Sequence, residues 1–167
     1  DFSSIAKGYA VDLVSARLAA MGIASHLVEI GGELRGVGVR PDRQPWWVAL
    51  EEPLGATRET LVALHGIAVA TSGDARRFFV RDGRRYGHTL DPRTGYPVDD
   101  RVAAVTVLAQ DCMTADAQAT ALTVLGPEAG MAYAIRRDIA ARFVLRSRAA
   151  KRPEELVSPA FAAMMED

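Results

Sequence analysis

Apolar residues recur at two different periods along this chain, and the change of period separates helices from strands. Over residues 4–21, apolar side chains such as Ile5, Val14 and Leu18 recur at a spacing close to the helical period. Serines stand just before this stretch and Gly22 follows it, which is typical of a helix start and stop. The pattern therefore predicts a first helix over residues 4–21.

The middle of the chain alternates apolar and polar positions, as strands with one buried face do. Asp82–Gly83 is the strongest short hairpin signal, and Gly31–Gly32 indicates a turn or bulge between two short strand pieces. The predicted strands lie within residues 26–40, 46–50, 61–71, 78–80, 85–89, 102–109 and 139–146.

Helical patterns return in the second half of the chain. Residues 112–126 form an amphipathic stretch, and Pro127 stands where a second helix over residues 127–137 would begin. The segment from residue 153 onward is expected to be a helical or frayed tail. The order helix, strands, two helices, strand predicts an α+β fold, with a mainly antiparallel sheet and helices packed on it.

Composition narrows the class of protein. The 167 residues allow one domain, and 49% hydrophobic with 25% charged residues is typical of a globular chain. A net charge of -1 without a long basic run argues against a nucleic-acid partner. A single cysteine excludes an internal disulfide, and no apolar run reaches transmembrane length. Because the chain starts without Met, we expect a cut or processed fragment.

Asp116 and Thr120 are the first candidate chemistry. They are four residues apart in the predicted helix over 112–126, which places both side chains on one face. A carboxylate beside a hydroxyl is a plausible half-site for Mg²⁺. The alternative is a solvated first turn in which the carboxylate complements the helix dipole, and spacing alone leaves both open.

Four further polar clusters stand at the ends of predicted elements. They occupy residues 1–8, 31–33, 71–74 and 88–95 and are rich in glycine, small hydroxyls and carboxylates. Each has an ordinary explanation as a turn or cap. Together they fit a phosphate-bearing ligand with a metal, since glycine lets the backbone approach and a cation neutralises phosphate. Neither standard nucleotide-binding loop motif is present.

Five motifs in these clusters resemble a known family. DFSSIAKGYAVD, EIGGELRGVG, ATSGDARRFF, GHTLDPRTGYPV and MTADAQATALTVLG follow one another in the order found in the ApbE family. These are FAD:protein FMN transferases, formerly called thiamine biosynthesis lipoproteins. The resemblance covers residues 1 to about 126 and implies a T-fold-like α+β architecture. It also implies that residues 1–167 are the C-terminal portion of the family domain, without its N-terminal part.

The resemblance implies an activity. Family members use Mg²⁺ and move the FMN half of FAD onto a Ser or Thr of an acceptor flavoprotein subunit, forming a phosphoester and releasing AMP. Two alternatives stay open: an FAD pyrophosphatase giving FMN and AMP, and a non-catalytic FAD-binding or structural fragment. The family also implies a periplasmic or outer-face location, with membrane attachment only through a missing N-terminal lipid anchor.

The resemblance also assigns roles in a metal site. Asp116 and Thr120 match the family's metal-binding Asp and Thr. Ser4 matches a position that offers its backbone carbonyl to the same ion, so the side chain there is free to vary. This implies that the first residues of the chain approach residues 116–120.

Four residues match positions around FAD. Asp1, Lys7 and Leu90 are expected to contact FAD. His88 is expected to contact it as well and to act as the general base, because histidine exchanges protons near neutral pH. The alternatives are a surface lysine at position 7 and a histidine that only binds the flavin or stabilises its loop.

Overall fold

The computed structural model describes residues 2–54, 59–75, 77–147 and 153–165 and confirms an α+β fold. The helices and strands are α1 (Ala6–Ala20), β1 (His26–Ile30), β2 (Glu33–Val37), β3 (Trp46–Ala49), β4 (Leu61–Leu64), β5 (Ile67–Gly73), β6 (Phe78–Arg81), β7 (Arg84–Gly87), β8 (Val102–Ala109), α2 (Cys112–Arg136), β9 (Ala140–Leu145), β10 (Glu154–Val157) and α3 (Pro159–Ala163). Six strands form one sheet in the order β1-β2-β5-β8-β9-β10, and every neighbouring pair is antiparallel. Two separate hairpins, β3–β4 and β6–β7, accompany it.

The central strands are buried on both faces, which explains their nearly continuous apolar sequence. On one face, Val105, Val107 and Phe143 pack against Ala119 and Leu122 of α2. Small residues on the helix allow it to lie close to the sheet. This packing fixes α2, and the residues it carries, relative to β5, β8 and β9.

The opposite face of the sheet is covered by the β3–β4 hairpin and α3. Val69 and Leu108 point to that side and pack with Leu64 of β4 and Phe161 of α3. The long helices are therefore on one side, as the order of elements predicts, while a hairpin and a short helix close the other. None of the described helices is long and apolar enough to cross a membrane.

The helical stretch Cys112–Arg136 is broken at one residue. Gly126 has φ 77° and ψ 175°, values outside the helical region, and Pro127 starts the next turn. A left-handed glycine followed by proline is a usual way to end one helix and begin another. The two helices predicted over 112–126 and 127–137 are therefore confirmed as two segments of α2.

The tail after residue 153 differs from the prediction. Glu154–Val157 is a strand, β10, that pairs antiparallel with β9, and only Pro159–Ala163 is helical. The expectation of a helical or frayed tail was wrong for the strand. Four residues of mixed polarity carry little periodic signal, and the free edge of β9 supplies the pairing.

Helix α1 lies against the start of α2 at an unusually short separation. A Cβ atom added to Gly8 would stand 2.3 Å from the Cys112 carbonyl oxygen and 2.6 Å from its carbon. Only glycine permits this approach of two backbones. Cys112 itself is fully buried, and burial raises the pKa of its thiol to about 12.

We predict that Gly8→Ala destabilises the protein, although alanine is the better helix former. The new methyl group forces α1 away from α2, and overpacking of this kind costs about 1–3 kcal/mol, whereas the gain in helix propensity is about 1 kcal/mol. Urea unfolding should show a net loss. Ala16→Gly, at an exposed position of the same helix, is the control and should lose only about 1 kcal/mol. A stabilised Gly8→Ala variant would contradict the close packing.

Candidate functional site

The two long helices cap each other. The Gly8 N–H, in the first turn of α1, donates to Asp116 Oδ2 of α2 at 3.0 Å. In return, Asp12 of α1 accepts hydrogen bonds from the Cys112 N–H (3.0 Å) and the Met113 N–H (2.9 Å) at the start of α2. The first N–H groups of a helix have no partner within it. Each helix therefore receives a carboxylate of the other where its dipole favours negative charge.

Helix α1 is also joined to strand β2 by two ion pairs. Lys7 pairs with Glu33, and Asp12 pairs with Arg35. Lys7 and Asp12 are five residues apart in a helix, a rise of about 7.5 Å, and Glu33 and Arg35 are two residues apart in a strand, a distance of about 6.7 Å. The two spacings are similar, so both ion pairs can form between α1 and β2. Asp12 thus serves two neighbours, the Arg35 guanidinium and the start of α2.

Asp116 is a buried carboxylate, with only 5% of its surface exposed. Burial raises the pKa of Asp116 above its ordinary value, while the Gly8 N–H and the charge of Lys7 act in the opposite direction. The hydrogen bond from Gly8 engages Oδ2 alone. A buried carboxylate that accepts so few hydrogen bonds is suited to binding a cation, because the cation offsets the cost of removing its charge from water.

The oxygens expected to hold a metal ion come from the same region. Thr120 follows Asp116 by one turn of α2, and Ser4 lies four residues before Gly8, in the turn that leads into α1. The contact between Gly8 and Asp116 therefore brings the two predicted segments together. Carboxylate, hydroxyl and carbonyl oxygens are the donors that Mg²⁺ prefers.

Protein carboxylates alone do not enclose an ion here. Among the described residues, no group of three His, Cys, Asp or Glu side chains is arranged to hold a metal. Mg²⁺ commonly binds through one or two carboxylates and completes its shell with water and substrate phosphate. A single carboxylate, Asp116, fits that mode of binding, and the metal assignment stays a prediction.

Glu33 is a site residue to which sequence reasoning assigned no role of its own, although it lies in the polar cluster at residues 31–33. Its side chain is 1% exposed, Oε1 accepts from Lys7, and Oε2 has no partner within the described part of the chain. Burial raises the pKa of Glu33, and the neighbouring charge of Asp116 raises it further, against the effect of Lys7. The alternation of side chains along the strands could have indicated this burial. Glu33 pairs with Ile30 across the β1–β2 hairpin, so both side chains lie on the face of the sheet that α1 covers.

His88 stands at the end of the β6–β7 hairpin and is exposed. Its Nδ1 lies 3.3 Å from the Arg77 carbonyl oxygen. Because a carbonyl only accepts, Nδ1 carries the proton in this contact, and Nε2 of the neutral ring is left as an acceptor. Between His88 and the cluster of Lys7, Glu33 and Asp116, the described residues supply no connecting hydrogen bond or ion pair.

The loop after His88 is tied to α2. Arg93 forms a forked ion pair with Asp91, holding the pKa of that carboxyl below its usual value, and reaches the Val124 carbonyl at 3.5 Å. A cleft of about 320 Å³ separates this loop from the break in α2. Leu90, a predicted FAD contact, is 56% exposed at the start of the loop. Asp1, which is also a predicted FAD contact, lies outside the described residues.

Asp74 follows the end of β5 and has a structural role. Its carboxylate is buried and pairs with Arg146 and with Arg85 Nε (3.2 Å), and its carbonyl accepts from Arg85 (2.7 Å). These contacts hold the β6–β7 hairpin against the end of the sheet. The polar cluster at residues 71–74 therefore anchors the hairpin that carries His88.

Comparison with known proteins agrees with this arrangement of motifs. The model of the ApbE family matches residues 1–143. An FAD:protein FMN transferase of Vibrio cholerae is 45% identical over 149 residues, covering 88% of this chain and 45% of that protein. The corresponding protein of Escherichia coli K12 is 34% identical over 148 residues, covering 87% and 42%.

Solved structures give the same result. The apo form of the flavinyl transferase ApbE of Pseudomonas stutzeri superposes with a TM-score of 0.89 at 49% identity, covering 100% of this chain and 51% of the other. An ApbE protein of Thermotoga maritima gives a TM-score of 0.83 at 35% identity, covering 100% and 53%. The chain thus spans about half the length of the relatives it matches.

We predict an asymmetry between the two partners of the Lys7–Glu33 pair. Lys7→Met leaves a buried carboxylate without its cation and should cost roughly 2–3 kcal/mol, somewhat less than the ~3–5 kcal/mol for a fully buried pair because Lys7 is 44% exposed. Glu33→Gln leaves an ammonium that water can reach and should change stability by less than about 1 kcal/mol. Urea unfolding measures both. Equal losses, or no recovery when Glu33→Gln is added to Lys7→Met, would contradict the burial of Glu33.

Proposed function

The chain belongs to the ApbE family, and from this premise we propose that it carries the reacting half of an FAD:protein FMN transferase. The complete protein would bind FAD with Mg²⁺ and transfer FMN to a Ser or Thr of an acceptor protein. The names and structures of the relatives support the reaction class. They belong to proteins about twice as long as this chain, so the activity is proposed for the complete protein.

One observation carries the proposal: the hydrogen bond from the Gly8 N–H to Asp116. It joins two motifs separated by more than a hundred residues and places a buried carboxylate beside Lys7 at the start of α1. A carboxylate for a cation and an ammonium for phosphate oxygens are the groups that a pyrophosphate substrate requires. Ser4 and Thr120 are proposed to add a carbonyl and a hydroxyl oxygen to the cation.

The proposed reaction is an attack by a hydroxyl on phosphorus. Nε2 of His88 takes the proton from the acceptor Ser or Thr as its oxygen bonds to the phosphorus of the FMN half of FAD. The bond from that phosphorus to the bridging oxygen breaks, and AMP leaves with the oxygen and its electron pair. Lys7 binds phosphate oxygens and orients the pyrophosphate. Bound Mg²⁺ would supply neutralisation of the phosphate charge.

The surroundings of the reaction are proposed from the family alone. The acceptor is expected to be a flavoprotein subunit, and its docking surface to lie around the loop that carries His88 and Leu90. The expected location is outside the cytoplasm, in the periplasm or at the outer face of the membrane. Any membrane attachment would come from a lipid anchor on another part of the complete protein.

We predict that His88→Ala lowers the rate of FMN transfer by about 10²–10⁴-fold, the usual contribution of a general base. FAD affinity should change far less. The assay incubates the full-length protein with FAD, Mg²⁺ and an acceptor, and it follows covalent flavin fluorescence on a gel. FAD affinity is measured separately by quenching of flavin fluorescence.

His65→Ala is the matched control, because His65 is also exposed and also bonds a backbone carbonyl through Nδ1, that of Gly38 at 2.9 Å. It should transfer FMN at the normal rate. Loss of FAD affinity in proportion to rate would show that His88 binds flavin and is not the base. Release of FMN and AMP without any labelled acceptor would replace the transferase by a pyrophosphatase, and FAD binding without turnover would leave only a binding protein.

A further inference from the structure

Glu33 is a buried charged group that the proposed reaction does not use. It begins β2, directly after the Gly31–Gly32 turn, and 1% of its surface is exposed. Oε1 accepts from the Lys7 ammonium. Oε2 lies beneath the turn, where a Cβ added to Gly31 would stand 3.7 Å from it and 3.4 Å from Lys7 Cδ.

A buried carboxylate of this kind lowers the stability of the fold. Burying a charged oxygen without a full set of partners disfavours folding, and Oε2 has none among the described residues. A glutamine would fill the same space at less cost. The neighbouring glutamate in sequence, Glu29, is exposed and accepts from the Gly32 N–H at 2.9 Å as an ordinary turn residue does. Stability alone therefore gives no reason for the charge at Glu33.

The position of the Lys7 ammonium supplies a reason. Lys7 directly precedes Gly8, whose N–H binds Asp116, yet the Lys7 ammonium bonds to Glu33. Without Glu33, Lys7 would be free to pair with Asp116, and the ammonium would then neutralise the carboxylate that is proposed to hold the cation. Glu33 therefore draws Lys7 to the β2 side, and within the described part of the chain Asp116 forms no ion pair.

We propose that Glu33 is a positioning residue for Lys7. It anchors the ammonium on β2 through one N–H, so that the remaining N–H groups are presented to an anionic group such as a phosphate of FAD, and it keeps Lys7 from pairing with Asp116. This inference rests on the proposed function, because it takes FAD as the ligand of Lys7 and a cation as the ligand of Asp116.

A double-mutant cycle on the full-length protein tests the proposal. The variants are Glu33→Gln, Lys7→Met and the combination of both, with Glu29→Gln as the matched control on the neighbouring exposed glutamate. The first measurement is the dissociation constant of FAD in the presence of Mg²⁺, from quenching of flavin fluorescence. The second is the pair of KM values, for FAD and for the acceptor, and the third is urea unfolding.

Glu33→Gln should weaken FAD binding roughly tenfold. This factor corresponds to the lower end of the free energy of a charge-assisted hydrogen bond, here the one between a misplaced Lys7 and FAD. KM for FAD should rise accordingly, while KM for the acceptor stays the same. Lys7→Met should weaken FAD binding at least as much. In that background, Glu33→Gln should have no further effect on FAD affinity, because the residue it positions is gone. Glu29→Gln should bind FAD as the wild type does.

Two results would overturn the proposal. One is unchanged FAD affinity in Glu33→Gln. The other is a loss of affinity that persists undiminished in the Lys7→Met background, since a purely structural role for Glu33 does not depend on Lys7. If Glu33→Gln does not fold, Glu33→Asp takes its place: it keeps the charge but withdraws it by one methylene from Lys7, and the same cycle applies.

Failure of the proposed function gives a different result. A wild-type protein that binds no FAD with Mg²⁺ present would reject the transferase itself. A wild-type protein that binds FAD and labels an acceptor, while Glu33→Gln does both equally well, would reject only the positioning role. The two outcomes are separated by the wild-type measurement alone.

Discussion

The mutual capping of α1 and α2 is the interaction on which the candidate site depends. Gly8 lets the two backbones meet, its N–H binds Asp116, and Asp12 binds the first N–H groups of α2. Because each carboxylate satisfies groups that a helix leaves unpaired, the contact fixes both the separation and the relative rotation of the helices. It also removes Asp116 from water and holds it at the positive end of α1. The same contact thus stabilises the fold and prepares a carboxylate for a cation.

Charges on three elements surround this contact. Lys7 and Asp12 of α1 meet Glu33 and Arg35 of β2, so the helix is fixed to the sheet as well as to α2. A buried ion pair contributes little net stability, because desolvation offsets its attraction. The two pairs instead position side chains. Asp12–Arg35 orients the carboxylate that caps α2, and Lys7–Glu33 determines which anion the ammonium binds. We expect the positions of these side chains to affect the affinity for the substrate.

Much of the fold followed from periodicity. The predicted helices are present, and so are the sheet strands β1, β2, β5, β8 and β9. Gly31–Gly32 and Asp82–Gly83 form turns in which all four residues have positive φ. Periodicity did not find β10, because its four residues acquire their conformation by pairing with β9.

The site was predictable only in part. Spacing suggested Asp116 and Thr120 as half of a metal site but left the ordinary helix interpretation open, and the roles of Ser4 and Lys7 came from a family resemblance. The caps of Asp12 and the burial of Glu33 arise between segments that are distant in sequence, and a one-dimensional pattern does not contain such contacts. The register of the β1–β2 hairpin is the exception, since it places Glu33 opposite Ile30 on the face that α1 covers.

The central claim is that the α1–α2 contact assembles a cation site from two segments of this chain that are distant in sequence. The most direct measurement is the anomalous diffraction of Mn²⁺, which accepts the same oxygen donors as Mg²⁺, in crystals of the full-length protein with FAD. The account predicts a peak within about 2.5 Å of an Asp116 carboxylate oxygen, beside the Thr120 hydroxyl and the Ser4 carbonyl. An Mn²⁺ ion bound to FAD phosphate away from Asp116, with the Gly8–Asp116 hydrogen bond intact, would contradict it.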